Sequence, residues 1–273
     1  MRPERHNLRP QRQPHRAPRA ACVRQRRALT LVELLVVVAI VALLVAALLP
    51  GLSQARARSQ LSVCLGHLRQ IGLGIQSYAA QHNDAIPRGP AAPLPFFPDQ
   101  GWDQWLTNQL QIGMLHAAQG LGPLLPADLR EPRVLFCPAD DTSDPVEELA
   151  KIEERAALDA YCSYFYRQRD QTTRDRLSCL GENALGLPAR ALVLDANSLG
   201  SGALLRTNHE ARRVNILYLD GHAATFENHE QLFSLRAADY AGFPASVERR
   251  LNEIIVSADY AERDDPRRTP PLP

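Results

Sequence analysis

Five cysteines are the side chains best suited to covalent or metal chemistry in this chain of 273 residues. Cys22 lies in the basic N-terminal segment, and the others are Cys64, Cys137, Cys162 and Cys179. An even number of cysteines in an oxidising compartment suggests disulfides, but four cysteines allow three pairings that spacing does not distinguish. Fully or partly reduced thiols are a second interpretation. Zinc is a third, although the chain has no Cys-x-x-Cys pair and the zinc signal is therefore weak.

Carboxylates and histidines in the C-terminal half form a further candidate site. Asp195, Asp220 and His222 offer oxygen and nitrogen ligands, and carboxylates are ligands that Ca²⁺ prefers. No defined calcium loop surrounds them, so we expect neither Ca²⁺ nor another metal or cofactor. We expect His209 to hydrogen-bond a backbone carbonyl or the Asp220-Gly221 turn.

Catalytic motifs are absent from the sequence. The chain contains no Gly-x-Ser-x-Gly, His-Glu-x-x-His or Walker sequence. Eight histidines and 30 acidic residues guarantee chance pairs, so no catalytic triad can be assigned. Gly66, Gly72 and Gly74 are typical of small-residue packing on a helix and do not form a nucleotide-binding loop. We therefore expect a protein that is not an enzyme.

An apolar stretch of 22 residues, ALTLVELLVVVAIVALLVAALL, covers positions 28–49 and contains one charge, Glu33, and one hydroxyl, Thr30. At about 1.5 Å per residue, a helix of this length spans the roughly 30 Å hydrocarbon core of a bilayer. A secretory signal peptide has a shorter apolar core, of about 7–15 residues. A carboxylate at membrane depth costs roughly 2.5–3.5 kcal/mol unless it has a partner. Glu33 is therefore expected to have one.

The first 27 residues carry nine arginines and a single acid, Glu4. Such a segment could bind nucleic acid. However, Lys151 is the only lysine, so arginine is the default cation of this chain, and its net charge is only +1. A basic segment directly before an apolar helix also fixes membrane orientation. We therefore expect a leader and no nucleic-acid partner.

Hydrophobic periodicity predicts a helix over the segment that carries Cys64. Beyond Pro50, apolar side chains recur three or four positions apart, as on one face of an amphipathic helix. Asn83-Asp84 then supplies a stop signal. We predict one helix over residues 30–82, bent near Pro50. The apolar stripe consists of Leu61, Leu65, Leu68, Ile71, Ile75 and Tyr78.

The clearest hairpin surrounds Asp220-Gly221. Alternating apolar residues over 214–219 and 222–226 flank this dipeptide, which favours a type I′ turn. The same patterns predict strands over 134–138, 161–166 and 190–194 and helices over 145–160, 230–237 and 244–257.

Two segments have the composition of irregular chain. The proline and glycine content of residues 86–110 predicts a loop, in which Trp102 and Trp105 anchor a short helix. The charged and proline-rich composition of residues 262–273 predicts a disordered C-terminal tail. The predicted fold class is α+β, with a long N-terminal transmembrane-plus-stalk helix packed on a small antiparallel sheet. The predicted domains are a leader (1–28), a transmembrane helix (29–50), an amphipathic stalk helix (51–82), an extracytoplasmic α+β head (83–261) and a disordered tail (262–273).

The string RRALTLVE, Arg26 to Glu33, resembles the processing and methylation motif of type IV prepilins and type II secretion pseudopilins. In that family a basic leader precedes a small residue, usually Gly, and then a Phe-Thr-Leu-x-Glu-type start of the apolar helix. The resemblance implies cleavage between Ala28 and Leu29, with Leu29 as the new, methylated N-terminus and Thr30 and Glu33 in the assembly motif. Ala28 replaces the usual Gly.

A second resemblance lies in the C-terminal half. The helix around Cys64, together with His209 and Asp220-Gly221, is similar to a branch of prepilin-like proteins that carry a His, about nine residues and then Asp-Gly. Here ten residues separate His209 from Asp220. The branch implies a pilin-like fold.

The resemblance also implies a function. We expect a membrane-anchored structural subunit, cut by a prepilin peptidase and assembled with other pilin-like subunits through its N-terminal helix. The assembly would be a type II secretion pseudopilus or a type IV-like filament. The expected location is the inner membrane, crossed once, with the head outside the cytoplasm. The alternative is a stand-alone, membrane-tethered surface protein that binds a ligand such as a polysaccharide through its head.

Overall fold

The computed structural model describes residues 30–89, 106–125, 127–154, 156–168, 176–183, 185–243 and 245–262. The chain divides into two units, residues 1–50 and 51–273, each described by itself. The predictions for the leader, the Ala28–Leu29 cleavage site, the two tryptophans and the tail beyond residue 262 lie outside the described residues.

The first helix, α1 (Leu31–Gln81), is 51 residues long and contains Pro50 without losing its helical assignment. Its end agrees with the predicted stop; the bend near Pro50 stays a prediction. In the first unit every described residue of this helix is exposed. Within the described part of the chain, α1 alone is long and apolar enough to cross a membrane.

The second half of α1 covers the head with one face. Its fully buried side chains recur at helical spacing, while Arg56, Arg58 and Arg69 on the other face are exposed. The predicted stripe is confirmed, except that Leu65 and Tyr78 are only half-buried and Cys64 takes a central place. The buried residues include Leu61, Cys64, Leu68, Ile71, Ile75 and Ala79.

A six-stranded sheet forms the centre of the head, in the order β2-β1-β3-β4-β7-β8, and every neighbouring pair is antiparallel. A separate ribbon pairs β5 with β6. Two further helices are α2 (Pro145–Glu153) and α3 (Ala245–Tyr260). The strands are β1 (Leu106–Ile112), β2 (Ala117–Ala118), β3 (Ala160–Arg167), β4 (Ala191–Asp195), β5 (Ser198–Leu199), β6 (Leu205–Arg206), β7 (Arg213–Tyr218) and β8 (Ala223–Glu227).

Apolar side chains on both faces of this sheet are buried. On β3, Tyr164 and Tyr166 join the core that contains the buried stripe of α1, whereas Phe165 joins the core under α3. This alternation follows from the period of two along a strand. Because helices cover both faces, all five residues of β4 are buried. The long N-terminal helix followed by a small antiparallel sheet is an α+β, pilin-like arrangement, as predicted.

Several local predictions were wrong. Residues 134–138 do not form a strand, because Pro132 starts a 3₁₀ helix (Pro132–Leu135) whose first turn the Glu131 side chain caps. The predicted helix over 145–160 ends at Glu153. In place of the predicted helix over 230–237, the chain has two short 3₁₀ helices, His229–Gln231 and Ala237–Gly242. The predicted loop over 86–110 contains the start of β1, a strand that its polar residues disguise.

The hairpin of β7 and β8 is confirmed, but its turn type is not. Gly221 has a φ of +88°, whereas Asp220 has no positive φ, which a type I′ turn requires at both positions. The Gly221 N–H donates to the Tyr218 carbonyl, and the Tyr218 N–H donates to the His222 carbonyl. This is the three-residue loop that ends in a left-handed glycine.

Candidate functional site

Thr30 and Glu33 cap the N-terminus of α1 reciprocally. The Thr30 backbone N–H and hydroxyl each donate to Glu33 Oε2 at 2.9 Å, and the Glu33 N–H donates back to Thr30 Oγ1 at 3.2 Å. This is a capping box, which satisfies donors that the first turn of a helix leaves open. Thr-x-x-Glu is its sequence signature, a signal that the apolar residues around it obscure.

The cap orients the carboxylate of Glu33. Both hydrogen bonds from Thr30 reach Oε2, and among the described residues no donor reaches Oε1. The carboxylate also lies at the helix end where the macrodipole favours negative charge. Glu33 therefore has a local partner, and among the described residues Oε1 is left for another donor.

Four side chains from distant segments converge inside the head. Cys64 comes from α1, Cys137 follows the 3₁₀ helix that ends at Leu135, Asp195 ends β4, and His209 precedes β7. One ligand atom from each, two sulfurs, an oxygen and a nitrogen, all lie within 4.8 Å of one another. We call these four residues the buried cluster, because even the His209 side chain is only 5% exposed.

Short contacts connect the members of the buried cluster. The Cys64 thiol donates to Asp195 Oδ1 at 3.2 Å and lies 3.2 Å from the Tyr164 hydroxyl. His209 Nε2 lies 3.4 Å from Cys137 Sγ and 3.6 Å from Asp195 Oδ2. The imidazole nitrogen and the carboxylate thus point at the same small volume as the sulfurs.

Burial decides the charge of the cluster. It raises the pKa of Asp195 to about 7 and, with the nearby Arg213, lowers the pKa of His209 to about 4. Burial also raises the pKa of the Cys64 thiol well above its ordinary value. Desolvation disfavours the charged forms of these three groups, so His209 is a neutral imidazole at neutral pH.

His209 is held in place by a strained turn and by the side-chain amide of Asn215. His209, Glu210 and Ala211 all have positive φ values, between +51° and +56°, a conformation that costs roughly 1–2 kcal/mol per residue. The Thr225 hydroxyl donates to Asn215 Oδ1 at 2.5 Å, which turns Asn215 Nδ2 toward His209 Nε2 at 3.2 Å. Because that amide nitrogen can only donate, Nε2 is an acceptor and its lone pair receives the Asn215 hydrogen bond.

Of the three weak candidate ligands, Asp220 and His222 contact each other, but Asp195 lies apart from them. The β4–β7 register places Tyr218, just before the turn, beside Ala191, at the opposite end of β4 from Asp195. His222 instead hydrogen-bonds Asp220 and Glu262 at the surface.

The motif residue His209 lies before β7 and Asp220-Gly221 lies after it, so the strand separates them. His209 contacts Cys137 in the buried cluster and the Asn215 side chain, and not the Asp220-Gly221 turn.

The four cysteines, for which disulfides, reduced thiols and zinc were all open interpretations, are not joined by disulfides. Cys64 and Cys137 share the buried cluster, whereas Cys162 donates to the Tyr164 carbonyl at 3.3 Å and Cys179 is exposed. The convergence of Cys64 and Cys137 with Asp195 and His209 was not predicted, because these residues are far apart in the sequence and form no short motif.

Comparison with known proteins identifies one segment. Residues 23–49 match the family described as the prokaryotic N-terminal methylation motif. No curated protein and no solved structure matches the chain. The matched segment covers the junction between the basic leader and α1, including the capping box of Thr30 and Glu33. The chain therefore carries a prepilin-type methylation motif at the start of an apolar helix that is long enough to cross a membrane.

Proposed function

We propose that this protein is a membrane-anchored structural subunit, cut between Ala28 and Leu29 by a prepilin peptidase and assembled into a pilus-type filament. The type II secretion pseudopilus and the type IV-like filament are the assemblies that its motif fits. The observation that carries the proposal is the methylation motif over residues 23–49, with Glu33 in the first turn of α1.

The chemistry of α1 supports assembly through this helix. Its first 20 residues expose large apolar side chains that only lipid or another apolar helix can cover. Cleavage would create an α-amine at Leu29 in or near lipid, and a carboxylate on a neighbouring subunit would neutralise it. Glu33 is held by Thr30 with Oε1 left open among the described residues, which suits it to that partner.

We further propose that the head is non-catalytic and lies outside the cytoplasm, with α1 crossing the inner membrane once. The basic leader supports this orientation, because positive charge stays on the cytoplasmic side. The buried cluster supports a structural role, since Cys64 and Asp195 are fully buried.

Three variants separate the two roles of Glu33. Glu33→Gln keeps the capping box, which accepts Gln, but removes the charge. Thr30→Ala removes the cap, at a cost of about 0.5–2 kcal/mol, but keeps the charge. Glu33→Ala removes both. If the charge registers neighbouring subunits, Glu33→Gln and Glu33→Ala both lose incorporation into the sheared filament fraction, while Thr30→Ala is still incorporated.

The mature N-terminus tests processing directly. Mass spectrometry of the membrane fraction should find a chain that begins at methylated Leu29. A chain with Met1 intact, or one that begins near Arg58, would overturn the proposal. Absence of the wild type from the sheared filament fraction, with ligand binding by the head that Glu33→Ala leaves intact, would favour the stand-alone surface protein instead.

A further inference from the structure

The buried cluster holds a donor set that neither the methylation motif nor filament assembly requires. Its four members lie in the second unit, on α1, after a 3₁₀ helix, at the end of β4 and before β7. We propose that Cys64, Cys137, Asp195 and His209 bind one tetrahedral metal ion, of the class that Zn²⁺ represents.

The separations between the donor atoms approach those of a tetrahedral site. Bonds of about 2.0–2.3 Å to a central ion give separations of roughly 3.3–3.8 Å between ligand atoms. The short separations are 3.2 Å from Cys64 Sγ to Asp195 Oδ1, 3.4 Å from Cys137 Sγ to His209 Nε2, and 3.6 Å from His209 Nε2 to Asp195 Oδ2. The two distances to Asp195 use different oxygens, and one atom from each of the four residues lies within 4.8 Å of the others. A turn of the Asp195 carboxylate and side-chain shifts of up to about 1 Å would bring the four residues around one ion.

The donor types select the metal. Two sulfurs and an imidazole disfavour Ca²⁺ and Mg²⁺, which take oxygen ligands. Thiolates, imidazole and one carboxylate together suit Zn²⁺. Four protein ligands in a closed site leave no coordination position for water, so the ion would be structural. It would fasten the α1 half that carries Cys64 to β4 and to the turn before β7.

Groups around the cluster are arranged as a second layer of hydrogen bonds. The Asn215 N–H donates to Asp195 Oδ2 at 2.7 Å, and the Tyr164 hydroxyl lies 3.2 Å from Cys64 Sγ. The Asn208 amide lies 3.4 Å from Asp195 Oδ1. Two thiolates and a carboxylate around a divalent ion carry one net negative charge, and these donors would stabilise it.

An entry path for the ion exists. A surface groove reaches His209, between the α1 residues around Arg56 and the turn that contains Arg212. His209 Nε2 already lies within 3.6 Å of Cys137 Sγ and Asp195 Oδ2, and an ion there would replace its hydrogen bond from Asn215 Nδ2.

A disulfide between Cys64 and Cys137 is the rival use of the same sulfurs. It would account for two of the four residues and would leave Asp195 and His209 buried beside it without a role. The convergence of the acid and the imidazole on the sulfurs favours the ion.

The test uses full-length protein, purified in detergent without chelators and measured by elemental analysis. We expect one Zn²⁺ per chain in the wild type and in Cys179→Ser, the matched control at an exposed cysteine. Cys64→Ser and His209→Ala should each lose the ion. Asn215→Ala removes only the amide that competes for His209 Nε2 and keeps the backbone N–H that donates to Asp195, so it should retain the ion.

A second measurement needs no variant. Removal of the ion by a chelator should lower the Tm of the wild type, and added Zn²⁺ should restore it. Substitution by Co²⁺ should give thiolate charge-transfer absorption, which Cys179→Ser keeps. A metal-free wild type whose intact mass is two hydrogens low until reduction would overturn the proposal in favour of the disulfide. Full metal retention by Cys64→Ser would also overturn it.

Discussion

Arg167 and Asp259 form a bidentate ion pair that fastens α3 to the sheet. The two hydrogen bonds, from Nη1 to Oδ1 and from Nη2 to Oδ2, measure 3.0 and 2.7 Å, and the side chains are 5% and 1% exposed. Asp259 also accepts from the backbone N–H groups of Arg190 and Ala191. One carboxylate thus joins α3 to β3 and to the start of β4.

Loss of this carboxylate should be costly. Asp259→Ala leaves a buried guanidinium and two backbone donors without their acceptor, and we expect a loss of about 3–5 kcal/mol of unfolding free energy. The measurement is denaturant unfolding of the full chain in detergent. Glu227→Ala, which breaks the exposed pair with Arg213, is the control and should cost about 0–1 kcal/mol. Equal effects of the two variants would contradict the role of Asp259.

The two faces of α1 should respond differently to truncation. Leu68 is completely buried against the sheet, so Leu68→Ala should cost about 2–5 kcal/mol. Leu73 lies five positions further along the helix and is 66% exposed. Leu73→Ala should therefore change the unfolding free energy by less than about 0.5 kcal/mol. Unfolding curves for both variants test whether this part of α1 is core. Similar losses would show that both faces are covered in the assembled protein.

Two glycines of α1 offer a matched pair. A Cβ on Gly66 would meet no atom within 4 Å, and Gly66→Ala should gain about 0.5–1 kcal/mol from helix propensity. A Cβ on Gly72 would lie 3.2 Å from Cδ1 of the buried Leu217, and overpacking there costs about 1–3 kcal/mol. We expect Gly72→Ala to have the lower Tm. The reverse order would mean that α1 does not pack closely on β7.

His222 should make stability depend on pH. Burial lowers its pKa, but hydrogen bonds to Asp220 and Glu262 outweigh burial and raise the pKa above 6.5. The stabilisation is therefore complete below about pH 6.5 and is lost as pH rises through the folded-state pKa. Tyr218, which stacks on the ring at 4.6 Å, and Arg190, 3.9 Å from Glu262, complete the surroundings.

Unfolding free energies of the wild type and His222→Ala at a series of pH values measure this effect. Their difference should be largest near pH 5 and should shrink toward pH 9. A difference that does not vary with pH would show that the imidazole acts by packing on Tyr218 alone.

Much of the fold follows from short-range patterns. The apolar run and the stripe from Leu61 to Ile75 predict α1, and alternation predicts β3, β4 and the β7–β8 hairpin. Two of the elements that these patterns failed to predict show why. Tertiary contacts make a strand of the polar β1, where the Gln111 amide donates to the Lys151 and Ala156 carbonyls. Pro132 and the cap from Glu131 turn a strand-like pattern into a 3₁₀ helix.

The sequence by itself determined the methylation motif, the apolar helix and the place of Glu33 on it, because each is written within a few consecutive turns of one helix. Only the tertiary structure decided which chemistry-bearing residues meet. Cys64 and Asp195 are 131 positions apart and touch only because the sheet packs on α1. Periodicity reports which face of an element is buried, but not which buried side chains of different elements become neighbours.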